Sequence, residues 1–200
     1  MKLTILEPGH FHAALVQKKM YADVDPTVHV YAQEGPDLQD YLQKVESYNH
    51  RTEHPTWWRL RIVVGPDFME RFIADKAGDV VVMAGNNQRK TEYIARAVAA
   101  GFHVLADKPM AIDASGFRSL GKAFALASRN KVLLYDIMTE RYEVTTLLQK
   151  EFASIPSVFG ELLQGTPQAP AVIKESVHHI SKSVSGSPIK RPAWFFDIDQ

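Results

Sequence analysis

The chain has 200 residues, 46% hydrophobic and 23% charged, with a formal net charge of zero and no cysteine. That composition excludes disulfides, thiolate metal sites and cysteine nucleophiles, and without a long basic run it argues against nucleic acid or an anionic membrane as main partner. No apolar run approaches the roughly 20 residues that span a bilayer, and no signal-peptide pattern opens the chain, so a cytoplasmic protein is expected.

Apolar strand patterns alternate with helical ones. Strands are predicted at Leu3–Leu6, Val28–Ala32, Arg61–Val64, Asp79–Ala84, His103–Ala106 and Val132–Ile137. "DVVVMA" and "VLLYDI" are near-continuous apolar runs, as in strands covered on both faces of a parallel sheet. Pro66-Asp67 is a helix start signal, after which Phe68, Met69, Phe72 and Ile73 form one apolar face. "QRKTEYIARAVAAG" puts Tyr93, Ile94, Ala97 and Val98 on one face and Gly101 at the C-cap position. Asp113 is placed to cap a further helix, with Phe117, Leu120 and Phe124 inward. Such alternation gives right-handed βαβ units and a Rossmann-like, doubly wound parallel sheet, an α/β fold.

Residues 46–60 read as a polar loop whose Trp57 and Trp58 cover the sheet edge. After Ile137 the pattern changes. "RYEVTTLLQKEFA" reads as a helix, and "VFGELLQG" as the start of a strand in a different sheet. Residues 1–137 are therefore expected to form a complete first domain, and 138–200 only the beginning of a second, α+β domain. The apolar end "AWFFDIDQ" is expected to be poorly ordered or buried in a neighbouring molecule.

Ligands of open parallel sheets bind beyond the carboxyl ends of the strands. After the first strand, "EPGHFHAAL" keeps only the middle glycine of G-x-G-x-x-G, at Gly9; Glu7 and His12 take the outer places. Gly9 can admit a pyrophosphate, with the backbone N–H groups of His10, Phe11 and His12 aimed at it; the plainer reading is a strand-to-helix turn. After the second strand, Glu34 is placed to bind ribose hydroxyls, or is an ordinary loop acid before Gly-Pro. No arginine stands at that turn, which favours NAD over NADP without excluding the latter. After the fourth, Ala84 and Gly85 let a ligand lie close, and Asn87 offers an amide or caps the next helix. After the fifth, Lys108 projects between Asp107 and Pro109, either to polarise a reacting oxygen or as a solvent lysine. The pair His178-His179 has no acidic cluster nearby, and no metal is assigned.

The stretch "DVVVMAGNNQRKTEYIARAVAAGFHVLADKPMAID" resembles the signature of the glucose-fructose oxidoreductase / inositol dehydrogenase (Gfo/Idh/MocA) family. That signature runs D-x-V-x-x-x-T-P-N-x-x-H, an alanine-rich helix, then A-G-K-H-V-L-x-E-K-P. Asp79, Val81, Asn87, Ala100, Gly101, His103, Val104, Leu105, Lys108 and Pro109 match in order and spacing. Asp107 replaces the usual glutamate, Lys90 the histidine, and Gly85-Asn86 replaces Thr-Pro. "YDIMTERYE" resembles the family's next segment and its arginine, here Arg141; "RPAWFFDID" resembles the stretch before its G-G-G-x-L-x-D-x-x-x-H segment.

The resemblance implies an NAD(P)-dependent oxidoreductase that passes hydride between a nicotinamide cofactor and a sugar, cyclitol or related polyol. Lys108 would contact the reacting oxygen, Asp107 would sit beside the nicotinamide ribose, and Arg141 would help bind substrate. A homo-oligomer is expected, and the 200 residues alone are expected to be inactive. Two alternatives stay open: an NAD-dependent glycosidase on the same fold, and a non-catalytic binding or regulatory protein that has lost the cofactor.

Overall fold

The computed structural model describes residues 1–138, 141–173, 181–184 and 187–200. His178-His179 lies outside the described residues. Six strands build the main sheet: β1 (Leu3–Leu6), β2 (Thr27–Ala32), β3 (Arg59–Val64), β4 (Val80–Met83), β5 (His103–Asp107) and β6 (Leu134–Ile137). They form one parallel sheet of order β3-β2-β1-β4-β5-β6, the doubly wound arrangement. The chain order reverses between β1 and β4, which pair from Leu3↔Val80 to Leu6↔Met83. Such a reversal leaves a crevice at the carboxyl ends.

Alternation along each strand divides the core between the two sheet faces. Val81 and Met83 pack with Phe68, Phe72, Tyr93, Ile94 and Phe102. Val82 and Ala84 pack with Ile5, Val28, Val30, Leu38, Tyr41 and Trp58. Five helices flank the sheet: α1 (His12–Leu15), α2 (Pro36–His50), α3 (Phe68–Asp75), α4 (Lys90–Ala99) and α5 (Ala114–Asn130). Gly101, at φ +84°, ends α4 in the left-handed conformation a C-cap glycine supplies. The Asp113 carboxylate accepts from the Gly116 N–H at the start of α5, as capping requires.

Several expectations need correction. The helix after β1 is a single turn, His12–Leu15. Residues 46–50 are the end of α2 rather than part of a loop. Trp58 is buried and donates its indole N–H to the Gln17 carbonyl at 2.7 Å, whereas Trp57 is exposed. On α5 the inward residues are Leu120, Ala123 and Ala127; Phe117 and Phe124 face solvent. Ala123 and Ala127 belong to the same buried cluster as Ile94, Ala97 and Val98 of α4.

The chain divides into two compact units, residues 1–137 with 190–200, and residues 138–189. In the second unit lie α6 (Val144–Ala153), the expected helix, and α7 (Pro156–Phe159). "VFGELLQG" is the end of α7 and a segment without strand, because Pro156 opens a helical turn at its N1/N2 position. A two-stranded sheet joins β7 (Ser181–Val184) to β8 (Ser187–Lys190). The final residues, including a 3₁₀ turn at Ala193–Phe196, return to the first unit. "AWFFDIDQ" is thus tied down within its own chain: Trp194 Nε1 donates to Asp37 Oδ2 at 2.8 Å, and Asn86 Nδ2 to Gln200 Oε1 at 2.6 Å. Among the described residues no helix is long and apolar enough to cross a membrane.

Candidate functional site

The loops after β1 and β4 meet at the point of strand reversal. The N–H groups of Gly9 and His10 both donate to the Ala84 carbonyl, at 3.0 and 2.6 Å. A Cβ on Gly85 would stand 2.0 Å from the Glu7 carbonyl oxygen, so only glycine fits there. A Cβ on Gly9 would stand 3.0 Å from both Asp37 Oδ2 and the Trp194 ring, and 3.3 Å from Gly85 Cα. This overturns the expectation for His10: its N–H is committed to Ala84 and is not aimed at a phosphate. Phe11 and His12 do stand at the start of a helix, but one turn adds little dipole to attract an anion.

Beside this loop lies a cleft of about 680 Å³, lined by Glu7, Pro8, Gly9, Glu34, Asp37 and Trp194 among others. Its position between the ends of β1 and β2 suits the adenosine half of a dinucleotide. Glu34 lies at its edge and accepts from Gln39 Nε2 at 2.9 Å. Burial pushes the Glu7 carboxyl up to about 7; Asp37 adds to the rise and Arg89 opposes it. At neutral pH a large share of Glu7 is uncharged, which relieves the repulsion a carboxylate here would exert on a pyrophosphate. The residues present therefore fit NAD, with fewer backbone donors than a three-glycine loop offers.

Glu7 also links stability to pH. Its proton is held more tightly in the folded chain, so the associated stability is full below the ordinary glutamate range and is lost as pH rises through about 7. Glu7→Gln is expected to be more stable than the parent at pH 8, by about 1–3 kcal/mol given roughly 1.4 kcal/mol per pKa unit, with the difference vanishing near pH 4. Urea unfolding at the two pH values checks this; an equal difference at both would show that Glu7 is not the titrating group.

A second cluster surrounds the end of β5. Asp107 is buried, and its two oxygens are taken by His10 Nδ1 at 2.8 Å and His12 Nδ1 at 2.9 Å. A carboxylate can only accept, so each imidazole donates its Nδ1–H. The Lys108 backbone N–H also donates to Asp107 Oδ1, at 2.8 Å. Burial by itself raises the Asp107 pKa, but the imidazole hydrogen bonds outweigh it and hold the carboxyl well below its usual range. Asp107 stands at the end of β5, and both of its carboxylate oxygens are engaged within the protein.

Asn87 does not cap α4; the N-cap is Arg89. The Asn87 Oδ1 instead accepts from the ammonium of Lys90, which also reaches the carbonyls of Asp107 and Pro109 at 3.4 Å. Lys90 is fully buried, and burial pushes its pKa down to about 8. Its role in joining the β4 and β5 loops was missed from sequence; the signal was a lysine where the family signature has histidine. The Lys108-Pro109 peptide is cis. The Lys108 ammonium lies 5.8 Å over the Phe195 ring, on whose other contacts His10 stacks at 5.4 Å and Arg191 at 5.2 Å. Gly9, Glu34, Ala84, Gly85, Asn87, Asp107 and Lys108 all stand at the carboxyl rim of the sheet, whereas Arg141 belongs to the second unit.

A doubly wound parallel sheet with these loops at its rim is the arrangement of a dinucleotide-binding fold. The model of the oxidoreductase family with an NAD-binding Rossmann fold (GFO/IDH/MocA) matches residues 8–136, and the chain belongs to that family. A second model, described as "Putative oxidoreductase C terminal domain", matches residues 148–200. Among solved structures, the chain is 49% identical, with TM-score 0.90, to a "putative oxidoreductase" from Parabacteroides merdae, over 100% of this chain and 45% of that one. It thus spans less than half the length of that relative. More distant likenesses show the fold alone. A 3-ketoreductase from Actinomadura kijaniata in complex with NADP is 18% identical, over 76% of this chain and 43% of that one, at TM-score 0.52. A dehydrogenase from Bordetella pertussis in complex with NADH and UDP-GlcNAcA is 19% identical, over 76% and 38%, at TM-score 0.52. A comparison with curated proteins gave no match.

Proposed function

We propose that the chain is the cofactor-binding part of an NAD(P)-dependent dehydrogenase that acts, as a homo-oligomer in its full-length form, on a sugar, cyclitol or related polyol. The observation that carries this reading is Lys108: it follows the carboxyl end of β5 directly, and its backbone is fixed to Asp107 at 2.8 Å. The substrate class follows from the family resemblance at this lysine and at Asn87.

NAD, when bound, supplies the hydride acceptor. The work of the chain's own residues is to hold and polarise. Glu34 and the cleft walls would take the adenosine ribose. Gly9 and Gly85 keep the floor of the crevice low. Lys108 places a positive charge where a carbinol oxygen gains negative character as its C–H bond is broken, and such preorganised charge lowers the barrier. Substrate must still be aligned with the cofactor, a contribution of several kcal/mol to the barrier, about 7 or more, and Arg141 is assigned to that task. The test is hydride transfer by the full-length protein against a panel of sugars and inositols, read as nicotinamide absorbance; a protein that binds cofactor yet oxidises or reduces none of them would contradict the proposal.

The carboxylates at the cleft set an expected cofactor preference. Glu34 and Asp37 both line it, and a 2′-phosphate brought among them meets like charge, with Arg191 the opposing cation. NADH is expected to bind more tightly than NADPH by roughly tenfold, or about 1.4 kcal/mol, and Glu34→Ala to narrow the gap. Calorimetric titration of both cofactors gives the answer; equal affinities in the parent protein would remove Glu34 from ribose recognition.

A further inference from the structure

Lys90 opens α4 where the family signature has histidine, and only 2% of its surface is exposed. A buried charge is costly unless it is hydrogen-bonded, and an ammonium brings N–H donors and no acceptor. Its Nζ is met by three oxygens: Asn87 Oδ1, the Asp107 carbonyl at 3.4 Å and the Pro109 carbonyl at 3.4 Å. An ammonium has one N–H for each of them. Burial lowers the pKa of Lys90 to about 8 and Lys108 adds to the fall, while Asp107 and Glu7 oppose it. At pH 7 most of Lys90 is therefore still the ammonium.

Two of these acceptors flank Lys108. The Asp107 carbonyl precedes it and the Pro109 carbonyl follows it, so one cation grips the chain on both sides. Neighbouring contacts extend the grip. Thr91, the next residue of α4, donates its hydroxyl to the Met110 carbonyl at 2.6 Å, and the Lys108 N–H donates to the Asp107 carboxylate at 2.8 Å. From 107 to 110 the backbone is tied at four points, three of them to the start of α4. A shift of that backbone would carry the Lys108 ammonium with it. A buried lysine of lowered pKa is also the form a Schiff-base or general-base lysine takes. The surroundings of Lys90 argue against that role, because its Nζ faces protein oxygens and burial keeps substrate away from it.

We propose that Lys90 is a positioning residue for hydride transfer: it fixes the backbone on both sides of Lys108 and so sets where the Lys108 charge stands relative to the reacting oxygen. The inference rests on the dehydrogenase reading above. Asn87 holds the same ammonium from the loop after β4, so that loop and the one after β5 keep a fixed spacing. Lys90 does not line the cleft beside β1 and β2. Its loss therefore acts on turnover and spares cofactor binding.

The experiment is a double-mutant cycle in the full-length protein, with Lys90→Met, Lys108→Ala and the two combined. Lys90→Met keeps the reach of the side chain and removes its donors. It is expected to lower kcat by about 10²-fold, the scale of a misplacement of about 1 Å, with the NADH Kd within about threefold of the parent. In the Lys108→Ala background the same substitution is expected to change kcat by less than about threefold, because residues that act through one another are not additive. A residue that only supports the fold would cost the same in both backgrounds. Where Lys90→Met does not give a folded protein by circular dichroism, Lys90→Gln, uncharged but still a donor, runs the same cycle with the same expected pattern. Equal losses in the two backgrounds, or a folded Lys90 variant with parental kcat, overturn the proposal and leave the dehydrogenase reading standing. Parental kcat in Lys108→Ala also overturns it, by removing the group through which Lys90 acts. A parent protein that binds NADH and transfers hydride to no substrate overturns both.

Discussion

Lys108→Ala in the full-length protein is expected to lower turnover by about 10²–10³-fold while leaving cofactor affinity within a few-fold. One preorganised charge at the site of developing negative charge is worth that much. The structure makes the substitution clean. The Lys108 backbone N–H, not its side chain, makes the bond to Asp107, so the anchoring of the β5 end survives truncation. The ammonium touches the rim through Phe195 and supports none of the core. Steady-state kinetics and NADH titration on the same preparation separate the effects. Near-normal turnover would make Lys108 a solvent lysine.

Asp107→Ala is expected to act on the fold instead. Removing the carboxylate leaves two imidazole N–H groups and the Lys108 N–H without their acceptor in a buried cluster, and the Lys90 charge loses the counter-charge that acts on it most strongly. Breaking a buried network in this way costs about 3–5 kcal/mol, much of the stability of an ordinary domain. Asp107→Asn should cost less, since the amide oxygen still accepts from one ring. The pH dependence has a definite sign. The Asp107 carboxyl is held below its usual range in the folded chain, so its contribution is present above the unfolded carboxylate pKa and is lost as pH falls toward the folded value. Parent and variant should converge in strong acid. Urea unfolding at pH 7 and pH 3 measures both terms; a difference that stays constant between them would mean that the cluster does not depend on the ionised carboxylate.

The sheet was legible because its strands are apolar on both faces. "DVVVMA" and the β1 segment lie at the middle of the sheet, where β4 and β1 pair, and composition alone marks such segments. Helices were legible where the stripe was aromatic or β-branched, as on α3 and α4. α2 escaped because only Leu38, Tyr41 and Val45 of its residues are buried, and the rest of its surface is polar. A helix after β1 was legible but not its single-turn length, beyond which the Gln17 carbonyl accepts from the Trp58 indole, 41 positions away. On α5 the periodicity points the large aromatic residues inward, whereas Leu120 and the alanines Ala123 and Ala127 fill that place.

The candidate site divides in the same way. Its location followed from strand ends, and Lys108 from its spacing to Asn87 and Gly101. The pairing of His10 and His12 with Asp107 joins residues 97 and 95 positions apart, and no local pattern carries such a contact. The burial of Lys90 is equally invisible locally, because a lysine at the first helical position normally points to solvent. The return of Trp194 to Asp37 spans 157 positions.

This rim, with one glycine where three are usual, is expected to hold a nicotinamide dinucleotide. Calorimetric titration of NADH into the protein should show saturable binding of one NADH per chain, weakened by Gly9→Leu, whose side chain would enter the space between Asp37 and Trp194. Heat indistinguishable from dilution, from a protein whose thermal unfolding shows it to be folded, would contradict it.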